Sequence, residues 1–269
     1  MKKALILALV ALSPVVVLAE PPKTIDISKL PAQSKLIDDV VVPVPSEIFG
    51  VLDKLGPKPN WTAVQRPIKG VAPTPGDQPQ IALLLGSVIA EGFIAVEAED
   101  PEGVKQIGKS VLSLAKALNV DKSVVKRSNS IIANADKKDW TMVRKELDGA
   151  LEDVKGAMSE LNSEALSQLV SLGGWIRGTE ALTAVVGKSY SKDGAELLHQ
   201  PLLLDHFEKR LAGLKPKFKT PLITKVQKGV LDIRPLIGLV EGGDISEKSV
   251  KEINSITSDL IKSINSKAQ

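Results

Sequence analysis

Proline is distributed unevenly along this chain, and the distribution constrains the fold more than any other feature. Of the 17 prolines, 11 lie between residues 21 and 79 and only 5 follow. Proline lacks a backbone donor and restricts the residue before it to extended conformations. The sequence therefore predicts an extended or irregular arm over residues 20–77 and a helical domain over residues 78–269.

The arm is too apolar to be a free linker. Residues 40–45 read Val-Val-Val-Pro-Val-Pro, so we expect this run to lie across the helical body as a strap. Ser46 can cap one short helix in the arm, and Gly56-Pro57 would end it. The buried side of that helix is predicted to contain Ile48, Phe49, Leu52 and Leu55.

Beyond residue 78 the aliphatic side chains recur at intervals of three and four residues, as on one face of an α-helix. The segment 79–98 is apolar nearly all round, which predicts a central buried helix. A membrane span is disfavoured there because Glu91 would lie in hydrocarbon. The sequence predicts an all-α fold, an irregular bundle of about seven to nine helices with the proline-rich arm strapped onto it. The clearest amphipathic stripe comprises Trp140, Val143, Leu147, Leu151, Val154, Met158 and Leu161.

The first 19 residues have the pattern of a cleavable secretory signal. Lys2 and Lys3 precede an apolar run that ends in Val17-Leu18-Ala19. We expect cleavage after Ala19 and a mature protein that is periplasmic or secreted, without stable membrane insertion. An uncleaved N-terminal anchor is the alternative. The chain has no cysteine, which excludes disulfides, thiol catalysis and Cys-ligated metals.

Composition also argues against several partners. Removal of Lys2 and Lys3 reduces the formal net charge of +3 by two, to +1. No concentrated basic face is evident in a chain so nearly neutral, so nucleic-acid binding is not expected. An aromatic content of 3% disfavours carbohydrate clefts and base-stacking platforms. A protein partner stays open.

Two charged residues interrupt otherwise apolar helices. Glu91 precedes Gly92, and Arg177 precedes Gly178. A lone buried charge is unfavourable, so each needs a partner. We predict that Glu91 and Arg177 pair across two packed core helices.

The run Leu-Gly-Gly-Trp-Ile-Arg-Gly at residues 172–178 is the most unusual local sequence. Glycine destabilises a helix interior by about 1 kcal/mol, so this run predicts close approach by another element. One interpretation is a tight helix crossing, with Gly174 and Gly178 on the contact face. The other is a groove floor where Trp175 and Arg177 meet a ligand. Glu91, Trp175 and Arg177 are therefore the candidate binding residues.

No motif for catalysis, metal or cofactor stands out. Glu196-x-x-His199 is half of a di-iron bundle site, but the second Glu-x-x-His is absent. We therefore predict no catalytic residue, no metal and no cofactor. The expected role is an exported binding or scaffolding module without catalytic activity. Two alternatives stay open: a carrier of an apolar small molecule in an inter-helix cavity, and a hydrolase that uses carboxylates only.

Overall fold

The computed structural model describes residues 36–37, 40–41, 49–50, 58–66, 77–237 and 243–266. The predicted signal segment, residues 1–19, lies outside these ranges. The described ranges confirm an all-α fold. They contain nine α-helices, which are α1 (Gln78–Glu97), α2 (Pro101–Ala117), α3 (Asp121–Asp136), α4 (Trp140–Glu160), α5 (Glu164–Lys188), α6 (Lys192–Glu196), α7 (Pro201–Ala212), α8 (Pro221–Ile233) and α9 (Glu247–Asn265). Short 3₁₀ turns lie at Trp61–Val64, Pro216–Phe218 and Arg234–Leu236.

Helix starts follow local capping chemistry. The Asp100 carboxylate accepts a hydrogen bond from the Gly103 backbone N–H at 3.0 Å, and Pro101 occupies the first helical position of α2. Thr220 caps α8 in the same way, again ahead of a proline. At both starts the cap and the proline are adjacent in the chain.

Helix α1 forms the centre of the bundle. Every residue from Pro79 to Glu97 is buried. Its length and hydropathy alone would fit a membrane span, but all of the apolar window is covered by the rest of the protein. Helix α5 lies along α1, and α2, α4 and α9 cover its other sides. The predicted central helix is thus confirmed.

The peripheral helices bury one face each. In α4 the side chains of Val143, Leu147, Val154 and Met158 are buried, as their spacing predicts. Leu161, the last member of the predicted stripe, is instead 55% exposed because α4 ends one residue earlier. Helix α9 packs back on α5 and α8.

Helices α1 and α5 approach each other most closely at two glycines. A Cβ added to Gly86 would lie 1.8 Å from the Val170 carbonyl oxygen, and one added to Gly173 would lie 1.9 Å from that of Leu83. The predicted tight crossing exists, and one of its two predicted glycines belongs to it. The Gly174 backbone nitrogen would lie 2.8 Å from a Cβ added to Gly86, so Gly174 is part of the contact. The assignment of Gly178 was wrong, since it has open space around it and lies about 100° round the helix from Arg177.

The described part of the arm contacts the bundle in two places. Strand β1 (Leu36–Ile37) pairs antiparallel with strand β2 (Val40–Val41), which lies next to α7. The turn at Trp61–Val64 lies on α1 and α5. Phe49 and Trp61 are both buried, with ring centroids 4.7 Å apart. Phe49 and Gly50 are helical, and the other residues of the predicted short helix and the strap residues 42–45 lie outside the described ranges.

Candidate functional site

Glu91 and Arg177 form the ion pair that the sequence predicts. Arg177 Nε of α5 donates to Glu91 Oε2 of α1 at 2.6 Å. The Arg177 side chain is 2% exposed and the Glu91 side chain is 5% exposed. The pair lies about one helical turn beyond the glycine crossing, which brings the two helix backbones close enough for the side chains to meet.

The arm supplies further hydrogen bonds to this pair. The backbone N–H of Arg66 donates to Glu91 Oε1 at 2.7 Å. Arg177 Nη2 donates to the Val64 carbonyl oxygen at 2.6 Å. Main-chain groups of the arm therefore complete the hydrogen bonding of both buried charges.

A second carboxylate, Glu180, lies one turn along α5. Arg66 Nε donates to its two oxygens at 2.9 and 3.1 Å. Arg177 Nη1 lies 3.2 Å from Oε2, and Ser258 Oγ of α9 donates to Oε1 at 2.7 Å. Together Arg66, Glu91, Arg177 and Glu180 form what we call the charge cluster, in which two guanidiniums neutralise two carboxylates.

Helix α9 is connected to the charge cluster by side-chain amide and hydroxyl groups. Asn254 Nδ2 donates to the carbonyl oxygen of Glu180 and to Thr183 Oγ1, both at 3.0 Å. Ser258 lies one turn later and reaches the Glu180 carboxylate. The arm, α1, α5 and α9 therefore meet at one polar centre.

Opposing electrostatic effects act on the ionisable groups of the charge cluster. Burial raises the pKa of the Glu91 carboxyl, while the positive charge of Arg177 and the backbone N–H of Arg66 act to lower it. The hydrogen bond to Glu180 raises the pKa of Arg66, which keeps that guanidinium charged. All four carboxylate oxygens accept hydrogen bonds or ion pairs from protein groups, so the arrangement is internally satisfied.

Trp175 lies apart from the charge cluster. Its Nε1 donates to Gln200 Oε1 at 3.0 Å, and its ring centroid lies 5.6 Å from that of Phe207 on α7. Residues two apart on a helix point in directions about 200° apart. The structure therefore brings Glu91 and Arg177 together but does not place Trp175 with Arg177 on one groove floor.

A small pocket lies between α5 and α7. Leu169, Leu172, Phe207 and Leu211 contribute to its lining, and its volume is about 10 Å³. That volume holds roughly one water molecule, whereas pockets for small organic ligands measure about 300–1,000 Å³. This pocket is therefore too small for the cargo of a carrier.

Both histidines have local hydrogen-bond partners. His199 Nδ1 lies 2.8 Å from the Ile237 carbonyl oxygen, and His206 Nε2 lies 2.9 Å from Gln168 Oε1. Burial, together with the charges of Lys209 and Lys155, lowers the pKa of His206. Within the described ranges, no three His, Asp or Glu side chains are grouped so as to hold a metal ion.

Sequence reasoning missed half of the charge cluster. Glu180 could have been found, because it follows Arg177 by three residues on the same face of an apolar helix. Arg66 had no such signal, since it lies in an arm without regular periodicity. Ser258 and Asn254 are ordinary polar residues of an amphipathic helix.

The sequence also contains a basic surface that the small net charge concealed. Residues 209–231 include seven Lys or Arg and no Asp or Glu. The expectation that the chain lacks a concentrated basic face rested on a sum over the whole chain, which does not record this local excess of positive charge. The members of this basic surface are Lys209, Arg210, Lys215, Lys217, Lys219, Lys225 and Lys228.

Comparisons with models of known protein families, with curated proteins and with solved structures found no match. Two features of this chain bear on its function, the charge cluster inside the bundle and the basic surface outside it.

Proposed function

We propose that this protein is an exported binding or scaffolding module without catalytic activity. One observation carries the proposal: the buried charges of the charge cluster bind one another and the arm. The carboxylates and guanidiniums, which are groups that could serve a reaction, here hold the arm on α1 and α5. The outer surface of the assembled body is then the part that meets a partner.

A carboxylate hydrolase needs an acid whose oxygen can reach a substrate. The side chains of Glu91 and Glu180 are each 5% exposed, and each carboxylate already accepts from protein groups on both oxygens. A substrate would have to displace the arm to reach either one. This geometry favours an architectural role for the two carboxylates.

The same contacts support a scaffolding role. A surface that is already ordered before binding loses less conformational entropy when a partner docks. The charge cluster and the buried Trp61 order the described part of the arm on the bundle. The protein would therefore offer a preformed face.

Native mass spectrometry of the protein, gently purified from its own host, tests the binding role. We expect the intact chain to carry a second protein. A retained apolar small molecule in stoichiometric amount would indicate the carrier instead.

A hydrolase panel tests the catalytic alternative. We expect no turnover above that of the Glu91→Gln variant, which keeps the shape of the side chain but not its acid. Turnover that Glu91→Gln abolishes, while the variant stays folded, would replace the binding proposal with a carboxylate hydrolase.

The export part of the proposal depends on residues 1–19. Lys2, Lys3 and the run ending at Ala19 support it. N-terminal sequencing of the protein recovered from its host should give Glu20 as the first residue. An intact Met1 or Lys2 would contradict the cleavage.

A further inference from the structure

The basic surface makes the charge distribution of this protein strongly one-sided. The chain has a formal net charge of +3, and residues 209–231 contribute +7 without any acidic residue. The remaining residues therefore sum to −4. A near-neutral total thus conceals a positive segment on an otherwise acidic molecule.

The fold displays this segment at the connection between α7 and α8. Three of its lysines occupy alternate positions around the 3₁₀ turn Pro216–Phe218. The turn is preceded by α7 and followed at once by the capped start of α8, so these lysines are displayed from ordered backbone. All six lysines of the basic surface are exposed.

Most of the contacts of these lysines leave the positive charge uncompensated. Lys219 Nζ donates to the Ala212 carbonyl oxygen at 3.2 Å, and Lys225 Nζ donates to Ser263 Oγ at 2.7 Å. Both acceptors are neutral. Lys228 differs, because it pairs with the Asp232 carboxylate at 2.5 Å.

Two acidic groups on the neighbouring elements pair with cations outside the basic surface. Asp259 of α9 pairs with Lys262 of the same helix. Glu208 of α7 pairs with Arg234. Glu164 lies in the first turn of α5. Two of these three carboxylates are thus engaged by cations outside the basic surface.

The residue types favour a fluid anionic partner over a structured one. Six of the seven cations are lysines, which are flexible point charges without the fixed fork of arginine. Lysine is depleted from protein–protein interfaces. Phe218, the aromatic residue of the turn, is half-buried and has Lys217 Nζ 4.8 Å from its ring centroid, so it is a poor platform for base stacking.

We propose that the basic surface docks this protein peripherally on a bilayer that contains anionic phospholipids. Clusters of four to eight lysines or arginines are sufficient for such attraction, since each adds to binding near an anionic headgroup layer. The described residues of the turn expose no large aliphatic side chain. The contact is therefore electrostatic adsorption without insertion. This proposal rests on the proposed binding role.

Vesicle sedimentation tests this inference on the protein as recovered from its host. The probes are vesicles of phosphatidylcholine alone and of phosphatidylcholine with phosphatidylglycerol. We expect binding to the anionic vesicles only, and loss of that binding near 1 M salt, where screening acts over about 3 Å. The triple variant Lys215→Gln, Lys217→Gln, Lys219→Gln should weaken the partition coefficient on the order of 100-fold.

A matched control separates this surface from net charge. The triple variant Lys122→Gln, Lys126→Gln, Lys138→Gln removes three exposed lysines of the α3 region and the same total charge. It should retain binding within about threefold of the parent, because the altered charges lie outside the basic surface. Circular dichroism melts of both variants verify that they are folded.

Three results would overturn the proposal. They are equal binding to neutral and anionic vesicles, an equal loss in both triple variants, and binding to heparin or duplex DNA without binding to vesicles. None of them bears on the proposed function, which fails instead if turnover or a retained apolar ligand is found.

Discussion

Glu91 depends on donors from two distant parts of the chain. Arg177 lies 86 residues away and the backbone of Arg66 lies 25 residues away. Removal of Arg177 would leave two buried carboxylates with a single guanidinium, and that guanidinium belongs to the half-exposed Arg66. At this scale a side chain is stabilised by partners that its local sequence does not contain.

We predict that Arg177→Met lowers the free energy of unfolding by about 3–5 kcal/mol, because it leaves buried charge uncompensated. Glu91→Gln should have a smaller effect, since Arg177 keeps Glu180 and the Val64 carbonyl oxygen. Urea denaturation measures both. Lys228→Met breaks an exposed pair and should change stability by about 0–1 kcal/mol. An Arg177→Met effect as small as that of the control would contradict the role of the charge cluster.

His206 makes the stability of the protein depend on pH in a predictable direction. Burial lowers its pKa in the folded state below the unfolded value of about 6.5. The unfolded chain then binds more protons below that pH, so the contribution of neutral His206 to stability is present above it and is lost on acidification. His206→Gln keeps a donor for Gln168 but cannot titrate.

The difference in unfolding free energy between the parent and His206→Gln should therefore shrink as the pH falls from about 7 to about 5. Chemical denaturation of both proteins at each pH measures this difference, and titrations that they share, such as that of Glu91, cancel. A difference that stays constant over this pH range would show that the pKa of His206 is the same in the folded and unfolded states.

Helix starts were predictable where a cap and a proline are neighbours, as at Asp100-Pro101 and Thr220-Pro221. Helix ends were less predictable. Glycine often follows the last residue of a helix, but Gly187 lies inside α5, which continues to Lys188, and the Val250 side chain of α9 lies beside it. The crossing of α1 and α5 was predicted with Gly174 correctly and Gly178 wrongly assigned to it, and Gly86 was missed because it is an isolated glycine.

Gly173→Ala should lower the free energy of unfolding by about 3 kcal/mol or more, because its Cβ would meet the Leu83 backbone and the helices would have to separate. Gly178→Ala is the matched change on the same helix. It adds a methyl group to open space, so helix propensity should leave stability unchanged or raise it by up to about 1 kcal/mol. Thermal and urea denaturation compare the two. Equal destabilisation would mean that the crossing is not the closest approach.

At the scale of the whole molecule, the sequence predicted a bundle, a buried central helix and one buried ion pair. It did not predict how the arm is attached, because the attachment uses main-chain groups of Val64 and Arg66 and a carboxylate of α5. Such contacts leave no periodic pattern. The basic surface was missed for a different reason, since a net charge does not record where charges lie.

Arg66→Met should loosen the arm while the bundle stays folded. The variant loses the hydrogen bonds to Glu180 and keeps the backbone N–H to Glu91. We expect chymotrypsin to cleave at Trp61 about tenfold faster or more, since cleavage follows the population of the open arm. Lys58→Met breaks only an exposed pair with Glu99 and should cleave like the parent. Identical cleavage of both variants would show that the charge cluster does not hold the arm.

The contact between Arg66 and Ser258 joins residues 192 positions apart. A growing polypeptide cannot make this contact until nearly all of it has left the ribosome. Topologies with such distant partners also fold slowly. The chain consequently completes its native arrangement of arm and α9 only after synthesis is almost finished.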